Sequence, residues 1–296
     1  MLARKYLLTL VVALAACRDV SAGDALDAGS GADGASADAT PAAHPGEVWV
    51  MAWNLQTFPK AVSTVARVGQ VLASMPVDVV GVEEIQDLDA FAQLDTRLAD
   101  FQGVLASNGD GYSRVGLLYR SSTVSVDGVE TLFLGDGQAF PRPPLAAHVH
   151  GQGVDLTLVV VHLKAQSDAA SQARRKAAVG KLDTWMKARA GERILVVGDW
   201  NDEVTDPAAD NVFQALLDQP DTYTVLTLPL AQMPGESTYI PIPGFIDHMV
   251  LTHNALGEWG AGSTEVLHLD ASDPQYESIL SDHRPVLTRF HPPPAP

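Results

Sequence analysis

Runs of apolar, β-branched residues that stop at polar groups recur along this chain. Leu195-Val196-Val197-Gly198-Asp199-Trp200-Asn201-Asp202 is the clearest of them. The first part reads as a buried strand. The Gly-Asp-x-Asn turn after it delivers carboxylates and an amide to a sheet edge, where open α/β sheets keep their chemistry. The pattern repeats elsewhere. Asn54 follows the run 48–53, Glu83 and Glu84 follow 77–82, and His162 closes 156–161. Asp247 interrupts 245–251, and Ser281-Asp282-His283 precedes 285–287. Each has a plain structural explanation alone: Asn54 as a turn residue, His162 as a hydrogen-bonded strand end. Six strand ends of this kind in one chain call for a common cause.

Strands are expected over 48–55, 77–82, 114–119, 123–133, 145–150, 154–163, 193–197, 245–252, 264–269 and 285–290. Helices are expected over 60–75, 87–99, 172–189 and 212–217, the third being the strongest. Residues 222–243 read as loop. Many strands and few helices, without regular βαβ alternation, fit two sheets packed face to face with helices outside. The residue patterns show no internal repeat.

The termini read differently. In residues 1–17, Arg4 and Lys5 precede an apolar run over 7–16, too short to span a bilayer comfortably, that ends Leu14-Ala15-Ala16-Cys17. This resembles a bacterial lipobox, with Cys17 as the lipidation site. The mature protein is then expected to be exported and held on a membrane by its lipid, without crossing it. Arg18 after the cysteine, in place of Asp, favours the outer membrane or cell surface over the inner membrane. Residues 18–46, rich in Ala, Gly, Asp and Ser, read as a disordered linker. The folded domain is expected over 47–291, with a flexible tail at 292–296.

The chain of 296 residues carries a net charge of −17. Without the five acids and three bases of residues 1–46, 31 acids face 16 bases, a net −15. Such a surface lacks the basic footprint of non-specific nucleic-acid binding. Lys164, Arg174, Arg175 and Lys176 are candidates for a local basic rim, or else a solvated helix face. Cys17 is the single cysteine, so the domain has no disulfides. A P-loop, a Gly-x-Ser-x-Gly elbow, a His-x-x-x-His pair and a cysteine cluster for zinc are all missing from the sequence.

The strand-end residues suit hydrolysis of a phosphoester. A hard divalent ion is held by one or two carboxylates and an amide oxygen. In-line attack needs an oriented water, charge relief at phosphorus and help for the leaving group. A carboxylate against a histidine fixes its tautomer and raises its basicity.

Seven segments, in order, resemble the endonuclease/exonuclease/phosphatase superfamily, whose fold is shared by DNase I-like nucleases, sphingomyelinases and inositol polyphosphate phosphatases. They are Trp53-Asn54-Leu55-Gln56, Asp78-Val79-Val80-Gly81-Val82-Glu83-Glu84-Ile85, Val115-Gly116-Leu117-Leu118-Tyr119-Arg120, Val160-Val161-His162-Leu163-Lys164, Val197-Gly198-Asp199-Trp200-Asn201-Asp202, Ile246-Asp247-His248-Met249-Val250 and Ser281-Asp282-His283-Arg284-Pro285. The resemblance implies an α+β, DNase I-like, four-layer α/β/β/α sandwich.

It also implies roles. Asn54 and Glu84 resemble the metal-binding pair, with Asp282 a third carboxylate beside it. Asp199 and Asn201 resemble the pair that positions water and phosphate. His162 and His283 resemble the histidines flanking the phosphate, and Asp247 the carboxylate orienting His283. Two positions depart from the pattern. Glu83 stands where Gln is common before the metal glutamate; alternation puts Glu83 and Glu84 on opposite faces, and we assign Glu84. His162 lacks the expected upstream glutamate, for Ser113 and Arg114 stand there.

The implied protein is a monomeric phosphodiesterase dependent on Mg²⁺ (or Mn²⁺ or Ca²⁺), an endonuclease-like enzyme first. A phospholipid or small-molecule phosphodiesterase is the alternative, and an inactive binding protein on the same scaffold is the non-enzyme alternative. Arg142, in the 135–144 loop with Phe140, Pro141 and Pro143 read as exposed, and Lys164 are the candidate substrate-binding residues.

Overall fold

Strand alternation assigns almost every large apolar residue to one of three layers of core. The computed structural model describes residues 46–107, 111–260 and 262–292. The leader with Cys17, the linker up to residue 45 and the tail from residue 293 lie outside them.

The strands are β1 (Val48–Phe58), β2 (Val79–Ile85), β3 (Phe101–Leu105), β4 (Arg114–Arg120), β5 (Ser125–Thr131), β6 (Leu145–Gly151), β7 (Val154–His162), β8 (Ile194–Asp199), β9 (Tyr223–Val225), β10 (Asp247–Thr252), β11 (Ser263–Val266) and β12 (Val286–Phe290). The helices are α1 (Thr64–Ala73), α2 (Leu88–Arg97), α3 (Ala169–Lys187), α4 (Gln214–Leu217), α5 (Leu228–Ala231), α6 (His253–Trp259) and α7 (Tyr276–Ile279).

One six-stranded sheet runs β11-β12-β1-β2-β4-β3 and the other β5-β6-β7-β8-β10-β9. Both share a plan. A central parallel pair, β1 with β2 or β7 with β8, is flanked on each side by antiparallel neighbours. The residue patterns hide this likeness of the halves, because a strand's side chains report its burial and not its partner.

Val50, Ala52 and Val79 meet Leu158, Val160, Leu195, Val197 and Met249 between the sheets. The alternate residues Met51, Trp53, Val80 and Val82 pack with Val68, Leu72, Phe91 and Leu94 of α1 and α2. Val159, Val161 and Val196 pack on Val179, Leu182 and Met186 of α3. The result is the expected DNase I-like α/β/β/α sandwich. Each such side chain contributes roughly 1.5–3 kcal/mol by leaving water. Gly81 sets how closely the sheets approach, since a Cβ there would lie 2.9 Å from a Val197 methyl.

Two helices, α2 and α3, start at a capping aspartate. Asp87 accepts from the Ala90 amide, and Asp168 from those of Ala170 and Ser171. Among the described residues no helix is long and apolar enough to cross a membrane.

Several expectations shift. The strand expected over 123–133 is the edge strand β5, mostly exposed. β3 and the three-residue β9 carry too little pattern to be read from sequence, and the supposed loop 222–243 holds β9 and α5. Phe140 is buried and stacks on Phe133 at 4.5 Å, and Pro143 is also buried. Both were expected to be exposed; Phe140 instead joins the core layer on the outer face of the second sheet.

Candidate active site

The site continues the core between the sheets. Val50 and Ala52 of β1 lead to Asn54, the next position on the same face. In the same way Val79 and Gly81 lead to Glu83, Leu158 and Val160 to His162, and Leu195 and Val197 to Asp199. In β10, which runs the other way, Leu251 and Met249 lead to Asp247. One register thus brings five polar residues to one end of the sandwich. All five are at most 2% exposed.

Glu84 escapes this alternation. It has φ +62°, and both pairings of β2 shift register here. This bulge turns Glu84 out of the helix-facing row toward the end of the sheet. Glu83 and Glu84 therefore do point different ways, as expected, but the left-handed backbone decides it. Glu83 lies beneath the site, and neither of its carboxylate oxygens has a hydrogen-bond partner among the described residues. Burial, with the charges of Asp247, Asp199 and Glu84, holds Glu83 well above the usual carboxylate range.

Asp199 is the hub. Its Oδ2 accepts from Asn54 Nδ2 at 3.0 Å and lies 3.3 Å from His162 Nε2 and 3.9 Å from His283 Nε2. Its Oδ1 accepts from the Asn201 amide at 2.8 Å. Asn201, at φ +54°, turns the chain so that its side-chain amide donates to the Leu163 carbonyl at 3.2 Å. Trp200 packs on the opposite face against Phe213. Gly198 permits the turn: its φ is +133°, and a Cβ would lie 2.1 Å from the Val161 carbonyl oxygen.

The two histidines differ in state. His283 Nδ1 is 2.9 Å from Asp247 Oδ2. Burial alone would lower its pKa, but Asp247, Asp199 and Asp282 outweigh it and lift His283 to about 10, making it an imidazolium. His162 is driven well below its ordinary value by burial, helped by Arg142 and His283, and stays neutral. Its Nδ1 has no hydrogen-bond partner among the described residues; the carboxylate it meets is Asp199. Burial pushes Asp199 itself up to about 7.

The set fits a hard divalent cation. Asn54, Glu84 and Asp282 offer amide and carboxylate oxygens, and Asn54 Nδ2 lies 3.4 Å from Glu84 Oε1. Asp282 Oδ1 is buried without a hydrogen-bond partner among the described residues, while Gln56 Nε2 donates to Oδ2 at 2.6 Å. Burial raises the Asp282 pKa. A carboxyl group buried as Asp282 is holds its proton more tightly unless a cation offsets the cost.

A cleft of about 700 Å³ opens over these groups, lined by Glu84, His162, Asp199, Asn201, Asp282 and His283. Arg142 also lines it and donates to the Leu163 carbonyl at 3.0 Å. Lys164 does not line it; its ammonium donates to the Ala165 carbonyl. Of the four candidates for a basic rim only Arg175 lines the cleft, and all four are tied to groups of the protein. Arg175 is buried and bonds Asp202 at 2.7 Å and the carbonyls of Lys164 and Gln166. Arg174 ties down the carbonyls of Gly137 and Gln138, and Lys176 that of Ala209. These cations hold loops in place.

Sequence reasoning missed Gln56, Lys60 and Tyr239. Gln56 accepts from the Asp282 amide and from Lys60 as well as donating to Asp282. Tyr239 stands 5.0 Å from the His283 ring and lines the cleft. It comes from a stretch with no strand or helix pattern, so nothing local marked it.

The profile of the Endonuclease/Exonuclease/phosphatase family matches residues 51–283, which takes in every one of these groups. The chain belongs to this family. No curated protein matches it by sequence. Among solved structures, TDP2 of D. rerio complexed with a single-strand DNA product is 18% identical, over 82% of this chain and 98% of that one, with a TM-score of 0.62. The 3′ phosphatase NExo from Neisseria, bound to a product DNA hairpin, is 18% identical over 82% and 99%, at 0.63. A mannosyl-6-phosphatase of Bacteroides thetaiotaomicron is 13% identical over 82% and 99%, at 0.60. These likenesses speak to the fold. Members of the endonuclease/exonuclease/phosphatase family are phosphoester hydrolases that use divalent metals, and the buried carboxylate–histidine cluster of this member has the character of such a site.

Proposed function

We propose that this chain is a divalent-metal-dependent phosphodiester hydrolase that works outside the cytoplasm on nucleic acid. The observation that carries the reading is the convergence of Asn54, Glu84, His162, Asp199, Asp247, Asp282 and His283 at one end of the sandwich.

Asp199, once ionised, takes a proton from the attacking water, with Asn201 fixing the carboxylate through its amide. The His283 imidazolium, held by Asp247, places a positive N–H at the phosphoryl oxygens. Neutral His162 stands across Asp199 from it, and Arg142 borders the cleft as a further cation. A divalent ion, when bound, supplies charge relief at the phosphoryl and leaving oxygens. Asn54, Glu84 and Asp282 would hold it, and we infer Mg²⁺, with Mn²⁺ or Ca²⁺ as substitutes.

The cleft margin favours a second reading. Asp202, Glu203 and Asp206 line it, and Arg175 is spent on Asp202. An acidic margin suits a strand end, a phospholipid head group or a small phosphoester better than long duplex DNA. The test is a panel of plasmid DNA, single-stranded DNA, RNA, sphingomyelin, bis-p-nitrophenyl phosphate and inositol phosphates, with Asp199→Ala as control. Cleavage of nucleic acid by the wild type alone is expected. Preference for lipid or small esters selects the second reading, and inertness on the whole panel would mean a binding protein.

For location, we infer a monomer tethered by acylated Cys17 to the outer membrane or cell surface, with residues 18–46 as the leash of the domain at 47–291. Cys17→Ser is expected to move the protein to the soluble fraction; retention on membranes refutes the anchor.

A further inference from the structure

Far from the cleft, on the outer face of the second sheet, two histidines and two aspartates stand side by side. His148 and His150 are alternate residues of β6 and so share a face. Asp127 of β5 is directly opposite His148 in the ladder, and Asp155 of β7 is opposite His150. Asp127 Oδ1 lies 3.4 Å from His148 Nδ1, and Asp127 Oδ2 lies 3.1 Å from His150 Nε2. One atom from each of Asp127, His148 and His150 falls within 4.8 Å of the others. The two imidazoles stack, with centroids 5.4 Å apart and planes 15° from parallel.

We propose that Asp127, His148 and His150 form a binding site for a divalent transition ion of the zinc type, separate from the catalytic centre. Ligands of one tetrahedral zinc ion lie roughly 3.4 Å apart, given bonds of about 2.0–2.1 Å; each aspartate–histidine distance, made by a different oxygen of Asp127, is close to this. The other side of His148 supports the reading. Its Nε2 meets Asp155 Oδ1 at 2.5 Å, and Asp155 Oδ2 lies 3.9 Å from Arg193. With the proton held on Nε2 by Asp155, the Nδ1 lone pair points at Asp127 and is ready for a metal. A carboxylate behind a ligating histidine is the usual partner of such ligands.

The site has a structural task to perform. β5 is a sheet edge with a largely exposed face, and its ladder to β6 breaks between Asp127 and Glu130. An ion shared by Asp127 and the two histidines staples this edge to β6. Asp155 lies seven residues from His162 along β7, about 23 Å at roughly 3.3 Å per residue, too far for the ion to touch a substrate in the cleft.

The test is calorimetric titration of the protein with Zn²⁺ under saturating Mg²⁺, with thermal unfolding alongside. The wild type is compared with His150→Gln, Asp127→Asn and Asp155→Asn. The wild type should bind one Zn²⁺ that His150→Gln and Asp127→Asn lose, and Zn²⁺ should raise the melting midpoint of the wild type but not of those two variants. Asp155→Asn should keep the site but weaken it about 10- to 100-fold. Mg²⁺-dependent hydrolysis should be the same in all four proteins. Superimposable isotherms for the wild type and His150→Gln, or no Zn²⁺ binding by the wild type, would overturn the proposal.

Discussion

His283 Nδ1 and Asp247 Oδ2 are 2.9 Å apart, both buried, and they come from opposite sheets' connections: Asp247 from the first residue of β10, His283 from the turn before β12. The pair joins the two halves of the sandwich at the base of the cleft. It is also why one buried imidazole is charged while His162 is neutral.

Asp247→Asn removes that charge and the preference for a proton on Nδ1. Turnover should fall roughly a hundred- to ten-thousand-fold with little change in KM, as expected for a carboxylate that orients a catalytic histidine. Steady-state kinetics check this; a variant within twofold of wild type would remove Asp247 from the mechanism.

EDTA should abolish hydrolysis, and Mg²⁺ or Mn²⁺ should restore it. Glu84→Gln should raise the half-saturating Mg²⁺ concentration by about tenfold or more, since it replaces a charged ligand with a neutral one. Metal titrations of activity measure this. Full activity in EDTA would rule out the metal.

His248 sits fully buried beside the site and is neutral. Its Nδ1 is 2.9 Å from Thr227 Oγ1 and its Nε2 is 3.2 Å from the Asp202 carbonyl. Burial lowers its pKa to about 4, against about 6.5 in the unfolded chain. Between these values the unfolded state binds the extra proton, so this contribution to stability is intact above about pH 6.5 and fades as pH falls toward 4. At pH 5 it should have cost about 2 kcal/mol. His248→Gln, which cannot titrate, should lack that loss. Denaturant midpoints of both proteins at neutral pH and at pH 5 test it; equal losses in the two contradict it.

Gly198→Ala places a methyl 2.1 Å from the Val161 carbonyl oxygen and 2.7 Å from Glu83 Oε1. Neither can yield, since one is backbone in the β7–β8 ladder and the other is buried. A loss on the order of 3 kcal/mol is expected, read as a lower denaturation midpoint. A midpoint unchanged from wild type would show that β8 can move away from β7.

The sequence by itself determined the two-sheet sandwich and the strand-end residues, because both follow from period-two burial. A strand covered on both faces is apolar throughout, and where it leaves the core the next inward residue is free to be polar. That is why Asn54, His162, Asp199 and Asp247 could be read one strand at a time. What only the tertiary structure decided depends on neighbours distant in the chain. The bulge at Glu84 needs β1 and β4 on either side. Arg175 is consumed by Asp202, 27 residues away. Phe140 is buried because Phe133 covers it, and Tyr239 reaches His283 from a stretch without pattern. The cross-strand match of Asp127 with His148 exists only in the register of β5 on β6, which no local composition specifies.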